Sequence, residues 1–219
     1  MVGLHTWSYE RHNQIENMLP WAEKLDYNLL LPEFRGPNLM SNPNCTLACG
    51  SDAAITDVLD AIAEALKLTG ADDDAIFLLG LSGGGYMSLM VAAKEPQLFR
   101  AVGAYVPITD LAAWCEENKS YAPHVRACCS DDEAEMVRRS PITYADRLAT
   151  ANVKIFHGKY DDVVPFSHSM RLFDKIQKIA PASRVFLDVF DGGHQIDMTA
   201  AMHWICHQYE KKEFTRVTG

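Results

Sequence analysis

An α/β fold with a mostly parallel sheet of about six strands flanked by helices is the architecture that this sequence predicts, on three observations. Short apolar runs alternate with longer amphipathic ones, as in parallel strands joined by crossover helices. Apolar residues make up 48% and charged residues 22% of the chain, a balance that excludes disorder, collagen and coiled coil. The 219 residues suit a single domain, 1–219, able to bury roughly 70% of its unfolded surface.

Six segments read as strands: residues 2–5, 27–32, 75–81, 101–106, 153–157 and 184–189. Between the second and third, Ile55, Leu59, Ile62 and Leu66 recur at helical spacing among Asp57, Asp60, Glu64 and Lys67, behind Ser51 or Asp52 as a cap. Further helices are expected over 13–25, 84–94, 166–179 and 195–210, the first kinked or restarted at Pro20. The connection over 107–150 is too long for a bare crossover. It follows the fourth strand at its carboxyl end, where open α/β sheets bind ligands, and reads as a small cap-like insertion.

Charge and cysteine content narrow the partners. The 20 basic and 29 acidic residues leave a net charge of −9, and the only adjacent basic pairs are Arg138-Arg139 and Lys211-Lys212. Nucleic acid and anionic membrane surfaces are therefore poor partners. The longest uncharged stretch, 75–93, reaches the length of a membrane span, but Gly83, Gly84 and Gly85 interrupt it, so no membrane insertion is expected. No signal peptide is visible. Because the chain opens already apolar at Val2-Gly3-Leu4, it reads as the trimmed catalytic part of a longer protein. A cytoplasmic location is the default, and an extracellular one follows if that longer protein is secreted. Six cysteines are too few for a disulfide scaffold, and whether Cys45 and Cys49 bridge or stay free is left open.

Gly80-Leu81-Ser82-Gly83-Gly84 fits G-x-S-x-G between an apolar strand and a helix, the context that this motif requires. A serine on such a turn is a nucleophile once a base takes its proton, and the following helix turns free amides toward the developing oxyanion. The base and its orienting acid are present in matching order. His157-Gly158-Lys159-Tyr160-Asp161-Asp162 places an acidic pair after the fifth strand, and Asp191-Gly192-Gly193-His194 places a histidine after the sixth. Neither a Walker lysine nor G-x-G-x-x-G spacing supports a phosphate loop instead.

With these motifs, and with Phe34-Arg35-Gly36, Phe99, Ser140-Pro141-Ile142 and Val163-Val164-Pro165, the sequence resembles the α/β-hydrolase superfamily in its prolyl-oligopeptidase-like branch, which holds both peptidases and stand-alone esterases. The resemblance implies an α/β-hydrolase fold and a Ser82, Asp161, His194 triad. It also implies an oxyanion hole formed by the amides of Gly83 and of Trp7, the latter in a His5-Thr6-Trp7 segment where the family commonly has His-Gly-aromatic. Threonine at position 6 departs from that pattern. No cofactor or metal is implied. His203, Cys206 and His207 share a helix face, but no fourth ligand accompanies them. His5 and His157 read as structural. Phe34, Tyr86 and Trp114 are candidates for a substrate pocket, with core packing as the equal alternative.

The expected activity is a serine carboxylesterase acting on small-molecule, short-chain esters. The alternatives are a prolyl-oligopeptidase-like peptidase, whose relatives usually carry a gating propeller that this chain lacks, and an acetyl or feruloyl esterase directed at polysaccharide.

Overall fold

The computed structural model describes residues 1–217, with side chains through Gln208. Five parallel strands run β1 (Val2–Leu4), β2 (Phe77–Leu81), β3 (Ala101–Tyr105), β4 (Val153–Gly158) and β5 (Val185–Phe190), neighbouring one another in that order. Register pairs include Leu4 with Gly80, Leu81 with Tyr105, and Phe156 with Asp188. All carboxyl ends therefore meet at one edge.

Side chains alternate between two cores. On one face Leu78, Val102, Ala104 and Ile155 pack with α2 (Asp52–Thr69), α3 (Gly83–Lys94) and α8 (Ser167–Ile179). On the other, Phe77, Leu79, Tyr105 and Phe156 meet α1 (Ile15–Lys24) and α9 (Met198–Val217). A sheet covered on both faces reads as continuous apolar runs, which is why its strands stood out in the sequence.

The structure corrects the expected strand at 27–32. Only Leu30 pairs there, in a single parallel bridge to Val2, with Gly3 N donating to Leu30 O and Leu30 N to Met1 O, each at 2.9 Å. Tyr27 spends its amide on Ala22 O, Pro32 has none to give, and the chain then turns through positive φ at Arg35 and Gly36. Among the described residues the sheet thus has five strands rather than six. Pro20 does not restart the first helix but lies inside α1. The last helix starts at Met198 because the Asp197 carboxylate accepts from the amides of Thr199 (2.9 Å) and Ala200 (3.3 Å).

The 107–150 connection folds into four short helices, α4 (Leu111–Glu117), α5 (Ala122–Cys128), α6 (Glu133–Arg138) and α7 (Ala145–Leu148). Asp110 and Asp132 cap α4 and α6. The indole of Trp114 on α4 packs edge-on against Trp7 at 4.9 Å and donates from Nε1 to Val163 O at 2.9 Å. The insertion is thereby pinned to the loops after β1 and β4.

Candidate active site

Ser82 occupies the sharp turn between β2 and α3, at φ 56° and ψ −116°, a conformation that L-residues rarely adopt. The turn persists because its surroundings fix it. Ser82 N donates to Tyr105 O and Ser82 O accepts from Tyr86 N, both at 2.8 Å. A Cβ on Gly84 would run into the Leu4 carbonyl, so the helix reaches its place only with glycine there.

The candidate acid and base follow β4 and β5. Asp161 has a fully buried side chain, and its two oxygens are divided: Oδ1 accepts from the amides of Val163 and Val164, both at 2.9 Å, and Oδ2 accepts from His194 Nδ1 at 2.8 Å. Burial alone would raise its pKa. The hydrogen bonds from His157, His194 and the Val164 amide outweigh burial and hold the carboxyl well below the usual range. With Nδ1 donating to Asp161, His194 keeps Nε2 as the acceptor nitrogen, on a ring that is 20% exposed. Asp162 is exposed.

His157 serves this loop. Its Nε2 is 2.9 Å from Val164 O and 3.4 Å from Asp161 Oδ2, both acceptors, so Nε2 carries the proton and Nδ1 accepts from Ser169 Oγ at 2.6 Å.

The two candidate oxyanion donors lie side by side. Gly83 opens α3, so its amide has no intrahelical acceptor, and a Cβ on Gly83 would strike the backbone nitrogen of Trp7. Thr6 reaches this arrangement without positive φ. Its amide donates to Asn13 Oδ1 at 3.2 Å, and Trp7 O accepts from Asn38 N at 2.8 Å. Behind it, His5 stacks on Phe34 at 3.8 Å and places Nε2 3.2 Å from Glu33 Oε1. Glu33 also accepts from the amides of Arg11 and Gly36. Burial would raise Glu33, but His5 and these amides hold it down to about 2.

The proposed pocket aromatics are corrected. Phe34, Tyr86 and Trp114 are each at most 2% exposed and belong to the core. Phe34 is covered by His5, Tyr86 donates its hydroxyl to Arg139 O and Cys49 O, and Trp114 is covered by Trp7 and Tyr121. Tyr121, which the sequence reading passed over, is the half-buried member of that cluster, stacked on Trp114 at 4.8 Å. On α9, His203 and His207 are exposed, and among the described residues no His, Cys, Asp and Glu side chains group as a metal ion requires. All six cysteines are free, Cys45 and Cys49 included, and no described helix is long and apolar enough to cross a membrane.

Comparison with known proteins bears on the family and the fold. A model of the prolyl oligopeptidase family matches residues 15–213. The acylamino-acid-releasing enzyme of Homo sapiens is 26% identical over 163 residues, 68% of this chain and 22% of that protein. Dipeptidyl peptidase family member 2 of Caenorhabditis elegans is 24% identical over 129 residues, 58% of this chain and 15% of that protein. The chain thus spans about a fifth of the length of the curated relatives it matches. Among solved structures, Pyrococcus horikoshii acylaminoacyl peptidase superposes with a TM-score of 0.70 at 18% identity, covering 98% of this chain and 36% of that one. An esterase of Pyrococcus furiosus gives 0.70 at 14% identity, covering 96% and 80%. These likenesses establish the fold.

Proposed function

This chain belongs to the prolyl oligopeptidase family of serine hydrolases, and on that premise we propose that it hydrolyses short-chain carboxylic esters through an acyl-enzyme on Ser82. The observation that carries the reading is the 2.8 Å bond from His194 Nδ1 to a buried Asp161 carboxylate, at the sheet edge that also holds the strained Ser82 turn. Ser82 Oγ attacks the acyl carbonyl as His194 Nε2 takes its proton. The amides of Trp7 and Gly83 stabilise the oxyanion, and His194 returns the proton to the departing alcohol. Water then repeats the sequence on the acyl-enzyme, and no cofactor is needed.

Two features favour esters with small acyl groups. The Trp7 and Trp114 rings are buried against each other, and half-buried Tyr121, stacked on Trp114, is the side of that cluster open to a small acyl group. Glu33, the residue best placed by type to receive a peptide's amino terminus, is engaged with His5 and two backbone amides. A peptidase reading is favoured by the names of the curated relatives, acylamino-acid-releasing enzymes among them.

The test is kcat/KM across acetyl, butyryl and octanoyl esters and N-acyl-aminoacyl and aminoacyl amides. Highest values on acetyl to butyryl esters support the proposal. An amide turned over as efficiently as these esters moves the protein to the peptidase reading.

A further inference from the structure

Away from the catalytic edge, four cysteines from two distant parts of the chain meet beneath the insertion. Cys45 opens a tight turn and Cys49 ends it in a left-handed conformation, φ 47°, while Cys128 and Cys129 close α5. Cys49, Cys128 and Cys129 are fully buried, and Cys45 alone is half-exposed. One guanidinium stitches the segments together: Arg139 donates to Thr46 O (3.1 Å) and Ala48 O (3.2 Å) on one side and to Cys128 O (3.2 Å) on the other. Cys45 packs against the buried cluster that holds Cys49, Cys128 and Cys129, with its thiol toward Cys128. None of these sulfurs takes part in the proposed hydrolysis.

We propose that Cys45 and Cys128 are a thiol–disulfide exchange site, closing to a reversible disulfide when a small-molecule disulfide reaches Cys45. The hydrogen bonding favours the reactive form. Burial and its sulfur neighbours keep Cys49 protonated, and the Cys49 thiol donates toward Cys128, drawing the Cys128 pKa below its ordinary value with help from Arg139. Burial and the neighbouring Cys128 raise the pKa of Cys45, which therefore keeps its proton until Cys128 accepts it.

Exchange follows in two displacements. As Cys45 passes its proton to the Cys128 sulfur, it attacks the small disulfide, forming a mixed disulfide and expelling one thiolate. That thiolate takes the proton from Cys128, whose sulfur attacks Cys45 and expels the second thiolate, which takes back from solvent the proton that Cys128 released on ionising. The small disulfide is reduced to two thiols and the protein pair is oxidised to one disulfide. The product ties the loop before α2 to the insertion that carries Trp114 and Tyr121.

The experiment uses the full chain with Cys206→Ser, which removes the other half-exposed thiol. Folded protein is incubated with oxidised glutathione, alkylated, digested and mapped by fragmentation mass spectrometry. The expected result is a Cys45–Cys128 link and a Tm raised by about 5–10 °C, as closing so long a loop implies. A thiol reductant should reverse both changes, and Cys45→Ser should abolish both. Glutathione persisting on Cys45, a link between another pair, or thiols left unreacted overturns the proposal, and this mapping decides it even if the variant folds poorly.

Discussion

His168 Nε2 lies 2.6 Å from Glu117 Oε2, joining α8 to the end of α4 through a fully buried imidazole. The opposite nitrogen, Nδ1, faces the amide of Thr109 at 3.2 Å and must accept from it, so the ring is neutral with its proton on Nε2. Burial pushes its pKa down to about 4. The carboxylates of Glu117 and Asp110 oppose that shift and Arg171, 3.2 Å from Glu117, adds to it. A base with a lowered folded pKa leaves the unfolded chain binding more protons between the two values. Stability is then complete above about pH 6.5 and is lost as pH falls toward 4, by about 2–3 kcal/mol. Urea midpoints should drop between neutral pH and about pH 4.5, with a shallower drop in His168→Gln. The depressed carboxylates Asp161 and Glu33 act at lower pH, from about 5 downward. Equal slopes in the two proteins would remove His168 as the cause.

Ser82→Ala should lower kcat by about 10³-fold or more in a folded protein, since oxyanion stabilisation alone leaves only residual catalysis. The backbone adds an independent expectation. At φ 56° alanine keeps the strain and glycine relieves it, so Ser82→Gly should unfold later than Ser82→Ala by about 1 kcal/mol. Denaturant midpoints in the opposite order would contradict the strained turn, whatever the activities show.

Tyr121→Ala tests the wall of the proposed acyl site. The ring stacks on Trp114 and lies 6.4 Å from Trp7, yet remains half-buried, so removing it opens space at the surface of that cluster. The octanoyl-to-butyryl ratio of kcat/KM should rise by about tenfold, the scale on which apolar pockets discriminate chain length. An unchanged ratio with an intact fold would place the acyl group elsewhere.

Local patterns marked the candidate residues and long-range contacts hid their supports. Ser82, Asp161 and His194 stood out as candidates because each follows a distinct apolar run and carries its own short motif. Residues 27–32 form an equally apolar run, but strand pairing depends on amides that Tyr27 and Pro32 do not offer to a neighbour. Trp114 read equally well as pocket or core, because the direction of its ring depends on Trp7 and Val163, far away in sequence. Glu33 depends on distance in the same way: its partner His5 reaches it only after β1 has folded. The cap Asp197 was a local signal, overlooked because the apolar pattern begins earlier, at Ile196.

Asp161 and Asp162 are neighbours in different surroundings, the first bonded to His194 and the second exposed. In Asp161→Asn, one amide face must meet the two amides of Val163 and Val164, which accept no hydrogen bond, so the carbonyl oxygen turns to them. The NH2 group then faces His194 Nδ1, where an acceptor stood at 2.8 Å. The imidazole is driven to the tautomer protonated on Nε2, which cannot take a proton from Ser82. The same NH2 points its hydrogens toward the Nε2–H of His157, 3.4 Å from the original oxygen, and loosens the loop further. Activity should fall by about 10³- to 10⁴-fold with a smaller loss of stability. Asp162 is exposed and its carboxylate supports neither His194 nor this loop, so Asp162→Asn should change kcat/KM by about twofold or less. Measured side by side on one ester, a larger loss for Asp162→Asn than for Asp161→Asn would reverse the assignment of the acid.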